Sequence, residues 1–412
     1  MYPFVVDSIV IEGNNTTENF IITRELTFNV GDTLDEVNAY YNRERIYSLG
    51  IFNQVYIVPM KMDELNILKI IVEESWYIYP IPFIETKEND FNKLSYGLYL
   101  KLKNFRGRNE DVTGVLAFGY DPTFGLNYYN PNIIGKENIF IRFSFGYSDV
   151  TNKSNAAEEL YGSKFTQKNI SAALLFGRRF GLFHRLYSSI IYNYIETPFY
   201  IQGINASTDR IDNRIDLALG YEYDTRDLIQ FPKNGIYTNF IFTFKGLGID
   251  NINYNAAWFD FREYRNLFDK LIAKWRFATR LTFAEVPYYD KSILGVGEKI
   301  RGYQSQKFEG DNFYLTGLEF YYPLIKEFKV DLTFIPIIPD ELLSYRVEFY
   351  SQIFIETGAA QNRNRLLRIS DFESGYGLGF SLLVLPYNIL RVDLAFDEYK
   401  NTEVIFDLGI SF

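Results

Sequence analysis

The chain has no cysteine and one histidine among its 412 residues. The first absence excludes disulfides and every metal site built on thiolates, and it suits a chain that crosses an oxidising compartment. The second removes the usual general base of hydrolases. His184 stands at the start of a strand between Phe183 and Arg185 and reads as a structural or surface residue. No catalytic machinery, metal or cofactor is expected. Long apolar runs are also missing: none approaches the roughly 20 residues a spanning helix needs, so a membrane form of this chain has to be a β-barrel. Positive charge is in deficit, with 42 Lys and Arg against 52 Asp and Glu; the net charge of -10 argues against nucleic acid. Met1, Tyr2 and Pro3 open without the basic and apolar regions of a signal peptide, so an exported chain is expected here in processed or truncated form.

What the chain has in excess is aromatic residues, 18% with 34 Tyr and 38 Phe, at a mean hydropathy of only -0.14. Alternation reconciles the two values, because apolar residues placed at every second position escape an average. In residues 403–412, Val404, Phe406, Leu408, Ile410 and Phe412 alternate with Asp407, Gly409 and Ser411. Successive strand side chains point to opposite faces, so one row can meet lipid while the other meets a wet lumen. A strand ending the protein on an aromatic in this way looks like the closing strand of an outer-membrane barrel.

The pattern repeats. Ile215, Leu217, Leu219, Tyr221 and Tyr223 oppose Arg214, Asp216, Gly220, Glu222 and Asp224; Trp275, Phe277, Leu281 and Phe283 oppose Lys274, Arg276 and Arg280; Leu390, Val392, Leu394 and Phe396 oppose Arg391, Asp393, Ala395 and Asp397. Charges of both signs on one face are costly toward lipid but pair readily in a hydrated interior, which also accounts for the Asp and Glu better than acid/base or calcium chemistry does. About sixteen such strands are predicted from Trp76 onward. Short connectors at 104–109, 131–136, 179–183 and 266–269 fall on one side of the membrane and long ones at 150–165, 197–209, 286–311 and 358–372 on the other, as in barrels with short periplasmic turns. Segment 323–345, with Pro336 and Pro339, is too long for a simple turn and fits neither class.

Residues 1–75 read differently. A strand at 7–12 turns at Gly13, Asn14 and Asn15 into a helical stretch ending near Leu26. Thr33 with Glu36 predicts a capping box that opens a second helix through Val37, Tyr41, Ile46 and Leu49, stopped by Gly50. Strands follow at 54–59 and 66–73. This order resembles a polypeptide-transport-associated (POTRA) domain, and Leu49, Gly50, Phe52 and Val55 resemble its leucine-glycine-x-phenylalanine-x-x-valine signature.

Further motifs sharpen the likeness. Gly297, Glu298, Lys299, Ile300, Arg301, Gly302 and Tyr303, in the longest external connector, resemble the valine-arginine-glycine-aromatic motif of the BamA-type outer-membrane protein assembly and two-partner secretion superfamily, with Ile300 in place of the usual valine. The family's wall motif is matched by Phe354, Ile355, Glu356, Thr357 and Gly358, with Glu356 where aspartate is usual. Glu319, within Gly317 to Pro323, also sits at a family-like position and could compete for Arg301. Two more stretches match: Asn104, Phe105, Arg106, Gly107, and Tyr223 to Asp227 followed by Phe231 to Gly235. The resemblance implies that the connector near 286–311 folds into the barrel and that Arg301 meets an acidic residue on the wall. Parity puts Phe354 and Glu356 on the inward face, opposite Ile353 and Ile355, and a buried guanidinium needs such a partner. Gly375, Gly377 and Gly379 alternate on an inward face with no helix after them; they make room for side chains or the folded loop rather than cradle a phosphate.

The fold expected is therefore mostly β: a sixteen-stranded antiparallel transmembrane barrel over residues 76–412 behind one α+β POTRA domain over 1–75. The resemblance implies a non-enzymatic role in the outer membrane, with the POTRA domain in the periplasm: insertion of barrel proteins, or passage of polypeptide across the membrane. Its partners would be the lipid bilayer, unfolded outer-membrane or secreted polypeptides, and periplasmic or lipoprotein partners. Clients would add to a POTRA sheet edge at 54–59 or to the seam between the strand at 77–85, broken by Pro80 and Pro82, and the strand at 403–412. The rival reading, a passive or ligand-gated channel, accounts for a charged lumen but not for the POTRA-like domain or the Arg301 motif.

Overall fold

The computed structural model describes residues 3–87, 90–200, 202–268, 270–295, 298–303 and 306–410. Gly297 and Phe412 lie outside them.

The N-terminal domain runs β1 (Phe4–Val5), β2 (Ser8–Glu12), α1 (Asn19–Thr23), β3 (Thr33–Leu34), α2 (Glu36–Tyr47), β4 (Phe52–Met62) and β5 (Leu65–Glu74). The cap of α2 differs from expectation. Thr33 is taken up in β3, paired with Val5, and Asp35 caps the helix by accepting from the Asn38 N–H at 2.7 Å. A carboxylate three residues before an amide does the same work as the expected hydroxyl. The first helix is shorter than the apolar pattern suggested, because the chain turns after Thr23 to bring Leu26 and Phe28 into the core. Gly50 takes a φ of 66° and lets the chain leave α2 directly into β4. In the three-stranded sheet β5 is central, parallel to β2 and antiparallel to β4, so β4 is an edge. Phe52 and Val55 of the signature are fully buried with Ile21, Ile46, Leu68 and Ile70; each such side chain contributes about 1.5–3 kcal/mol of apolar burial.

Sixteen antiparallel strands follow in meander order. They are β6 (Ile78–Lys87), β7 (Asp90–Phe105), β8 (Glu110–Gly119), β9 (Thr123–Ile134), β10 (Ile139–Thr151), β11 (Thr166–Phe180), β12 (His184–Glu196) and β13 (Ile211–Asp224). After β14 (Gly235–Lys245), β15 (Tyr254–Leu267) and β16 (Leu271–Thr282), the small hairpin β17 (Ser292–Leu294) and β18 (Phe308–Gly310) stands apart. The sheet resumes with β19 (Asn312–Asp331), β20 (Ser344–Gln361), β21 (Glu373–Leu385), β22 (Asn388–Asp397) and β23 (Thr402–Ile410). Burial is inverted relative to a water-soluble sheet. On β13, Asp212, Arg214 and Asp216 are buried while Leu219 and Tyr221 are exposed; Ile353 and Ile355 are likewise exposed beside buried Phe354. Lipid on the outside and paired charges on the inside account for this inversion.

One turn and one long segment depart from the expected plan. Pro131 is inside β9, whose strand runs to Ile134, so the turn is confined to 135–138. Segment 323–345 is the far end of a hairpin: β16 pairs with β19 only as far as Tyr321, and β19 and β20 continue alone to Asp331 and Ser344. That hairpin reaches the POTRA domain, where the Asn53 amide donates to the Glu341 carbonyl at 2.6 Å and Lys329 pairs with Glu73 at 2.9 Å.

The POTRA domain sits across the turns at this end of the barrel. Asn104 donates to Thr17 at 2.9 Å, the Glu18 N–H to the Gly107 carbonyl at 2.9 Å, and Tyr41 to the Thr225 carbonyl at 2.9 Å. Gly107 is required there, because a Cβ would stand 2.0 Å from the Thr16 carbonyl oxygen. Leu228, Phe231, Tyr321, Tyr350, Leu383 and Leu385 of the barrel end belong to the same apolar core as the POTRA residues. Within this contact Arg346 is fully buried and donates to both Glu44 oxygens at 2.9 Å and to Glu348, while Lys233 pairs with Glu348 at 2.9 Å. Glu25 receives Arg179 at 2.6 and 2.8 Å and Arg45 at 2.7 Å. Burial alone would push the Glu25 carboxyl up, but Arg179, then Arg45 and Arg24, outweigh it and hold it at about 2.

Candidate functional site: the infolded loop and its wall

The segment between β16 and β19 turns inward, and the sheet wraps around it. Its residues reach several strands of the interior: Tyr288 donates to Gln167 of β11 at 2.9 Å, Asp290 accepts from Arg280 of β16 at 2.7 Å, and Glu298 receives Arg276 in two bonds of 2.9 Å. Asp290 also lies 3.5 Å from Lys245 and 3.7 Å from Arg214. An acidic loop residue is thus held in a basic pocket of the wall.

At the other end of the segment the signs are reversed. Arg301, 9% exposed, donates from its backbone N–H and Nε to Glu356 at 3.1 and 2.9 Å, and from Nη1 to Glu319 at 3.0 Å and Asp393 at 3.1 Å. Its Nη2 also bonds Glu356. The guanidinium lies 3.5 Å from the Phe354 ring centroid, a cation–π contact at a largely buried charge. Glu319 does not compete with Glu356; the planar fork of the guanidinium serves both through different nitrogens. Lys274 and Arg391 also contact Glu319, and Arg391 reaches Asp393 at 2.8 Å. Three cations therefore face three carboxylates, and Gln352 and Tyr321 fill further lone pairs of Asp393 and Glu319 at 2.6 and 2.8 Å. A charge cluster so fully partnered escapes the large penalty of a buried unpaired ion.

Shape fits as well as charge. Ile300 and Tyr303, 1% and 2% exposed, pack with Leu294, Phe313 and Leu315. Gly302 adopts a φ of +97° against the Phe396 carbonyl, a conformation a β-carbon would strain. Across the wall, a Cβ on Gly375 would stand 1.7 Å from the Arg301 carbonyl oxygen, one on Gly377 2.7 Å from Phe354 Cζ, and one on Gly379 1.9 Å from Asp393 Oδ1. The inward row of glycines makes room for the Arg301 backbone at Gly375 and for the Phe354 and Asp393 side chains that surround it at Gly377 and Gly379.

Thus Ile300, Arg301, Gly302, Tyr303, Glu319, Phe354 and Glu356 all meet in one place. Phe406 is 78% exposed on the outer face of β23, whose backbone continues through Leu408 and Ile410. Sequence reasoning did not connect Asp393, Arg391 and Lys274 to Arg301, although the alternation of their strands had already placed all three inside. His184 bonds Tyr221 through Nδ1 at 2.8 Å at an exposed position on β12. Among the described residues no group of three or more His, Cys, Asp or Glu is arranged to hold a metal ion.

The ends of the sheet contrast with this interior. Among the described residues β6 and β23 share no ladder pair. The Lys103 N–H donates to the Tyr77 carbonyl at 2.8 Å, so Tyr77, Tyr79 and Ile81 occupy the hydrogen-bonding positions toward β7. Pro80 and Pro82 fall on the alternate positions, where a backbone N–H would point away from β7. The two missing donors are therefore missing from the free edge.

The Omp85 superfamily domain matches residues 104–412, and a POTRA module, the surface antigen variable number repeat, matches residues 4–75. The chain belongs to the Omp85 superfamily. Similar solved structures include BamA from Haemophilus ducreyi lacking POTRA domains 1–3, at 16% identity and a TM-score of 0.57 over 98% of this chain and 83% of that one. CdiB from Escherichia coli aligns at 10% identity and a TM-score of 0.54 over 99% and 90% of the two chains. CdiB from Acinetobacter baumannii aligns at 13% and 0.51 over 98% and 73%. Superfamily membership places the chain in the bacterial outer membrane, among proteins that insert or translocate polypeptides there.

Proposed function

We propose that this chain inserts β-barrel polypeptides into the outer membrane, and that the incoming strand pairs at the edge of β6. The observation that carries this reading is the pairing pattern of the wall: every interior strand has two neighbours, while β6 and β23 each have one among the described residues. A free edge templates a new strand. Pro80 and Pro82 keep β23 from closing that edge with a full ladder. A route through the lumen is disfavoured, because the infolded loop is anchored inside it and the apolar core shared with the POTRA domain lies across its near end. In this reading the POTRA domain faces the periplasm and presents β4 as a docking edge for extended client segments.

The chain's lack of cysteine makes the test clean. Ile84→Cys in β6 and Val404→Cys in β23 are joined by a short thiol cross-linker in protein reconstituted in liposomes, and folding of an unfolded barrel client is followed by protease protection. Insertion should stop on cross-linking and return when a cleavable linker is cut. Full insertion by quantitatively cross-linked protein would overturn the proposal and favour the lumen.

A further inference from the structure

A cavity of about 230 Å³ lies between the POTRA domain and the barrel turns, away from the infolded loop. Six arginines line it: Arg24 and Arg45 from the POTRA domain, and Arg142, Arg179, Arg185 and Arg226 from the barrel. The carboxylates in the lining are Glu25 and Asp224. Glu25 is shared by Arg179 and Arg45, and Asp224 is bonded to Arg226 at 2.7 Å. Arg185 reaches Glu222, just outside the lining, at 2.7 Å. Counting Glu222, six guanidinium groups face three carboxylates, which leaves three positive charges uncompensated. This is the opposite of the Arg301 site, where the charges balance.

Two of the six are short of partners. Arg24 Nε stands 3.5 Å from Glu25, which Arg179 and Arg45 already hold, and among the described residues it is buried without a hydrogen bond. Burial, and then repulsion from Arg179 and Arg185 against the pull of Glu25, push the Arg24 pKa below its ordinary value. Arg142 lies 4.9 Å over the Tyr129 ring and makes no ion pair among the described residues. Tyr129 and Phe183 supply aromatic walls.

We infer that this cavity is a binding site for a phosphate group, which would bridge the POTRA domain to the barrel. A phosphate monoester carries a charge of about -1.5 to -2 at neutral pH and offers three strong acceptor oxygens. A single carboxylate would answer only one of three uncompensated charges. Guanidinium groups bind phosphate through paired, planar donors, and the low-dielectric walls concentrate the field on the space between them. Arg24 from one side and Arg142 from the other supply the free donors, so the bound group completes a contact that the protein alone leaves short of negative charge. The same chemistry can come from soluble phosphate or from a lipid whose headgroup is a phosphate monoester.

The test uses the full chain in a maltoside detergent at low ionic strength, titrated by calorimetry with inorganic phosphate and, separately, with phosphatidic acid, whose headgroup is a monoester, in the same micelles. Saturable binding is expected, weakened about tenfold or more, that is by about 1.4 kcal/mol, in Arg24→Gln and in Arg142→Gln. Neither residue holds a bidentate ion pair, and heat-modifiable gel migration shows which variants are folded; if one is not, the other decides. Saturation by inorganic phosphate assigns a soluble source, and saturation by phosphatidic acid alone assigns a headgroup. Absence of saturable binding to both, or unchanged affinity in the folded variants, overturns the site.

Discussion

The interior of this barrel and its seam treat polar groups in opposite ways. Around Arg301 three cations meet three carboxylates, and Gly375 of β21 gives way to the loop backbone. At the seam the chain removes donors: Pro80 and Pro82 take two N–H groups from the free edge of β6, and no ladder joins it to β23 among the described residues. Both are departures from an average strand, but one fixes a geometry and the other leaves one unfixed. The lesson is that rigidity is distributed deliberately along the wall. The loop and the barrel end are locked, and the lock is withheld at the edge where the proposed function would admit a strand.

The contrast breaks most severely at Arg301. Arg301→Ala leaves Glu319, Glu356 and Asp393 with Lys274 and Arg391 alone, and the loss of one member of such a cluster costs about 3–5 kcal/mol. The loop should leave the lumen, become open to protease from outside, and client insertion should fall. An unchanged cleavage pattern would show that Asp290 and Glu298 suffice to hold it.

Next in size is the hold on the POTRA domain. The Glu25 carboxyl is depressed from 4.5 to about 2 by its arginines, so its contribution to docking is complete above pH 4.5 and is lost as the pH falls through that value toward 2. The loss is up to about 3 kcal/mol at the acid end. Proteolytic release of the POTRA domain should rise across this window, and Glu25→Gln should flatten the rise.

Gly375→Ala isolates shape from charge at the loop site. Every ion pair is retained, but the new Cβ would collide with the Arg301 carbonyl; overpacking of this kind costs about 1–3 kcal/mol. A partial opening of the loop, smaller than that of Arg301→Ala, is expected in the same protease assay. The smallest effect is at the seam, where Pro80→Val with Pro82→Val restores two donors worth about 0.5–1.5 kcal/mol each once paired. That variant should resist heat unfolding slightly better and insert clients more slowly. Faster insertion would remove the prolines from the argument.

Much of this organisation is legible in the sequence because alternation is legible. Strand parity alone placed Glu356, Asp393, Lys274 and Arg391 in the lumen, and the motif around Arg301 named the residue they surround. What parity cannot supply is which inward residues share a level: Asp393 and Glu319 are 74 positions apart, and only the stagger of the strands brings both to one guanidinium. The 323–345 segment was opaque for a related reason. Its strands read as strands, but a hairpin that outruns its neighbour and finishes on another domain is set by a contact, Asn53 with Glu341, that no local pattern announces. Thr33 misled through chemistry: its hydroxyl and the Asp35 carboxylate offer the same cap two residues apart, and pairing with Val5 decided between them.

The inverted burial of the strands means that one fold answers to two solvents. Its outer face is solvated by hydrocarbon and is indifferent to ions, whereas its inner order rests on charge pairs that electrolyte screens, least where they are most enclosed. Raising salt at constant detergent should therefore soften the loop and the barrel end while the wall keeps its shape, and changing detergent at constant salt should do the reverse. The two halves of the molecule's stability can be titrated with separate burettes.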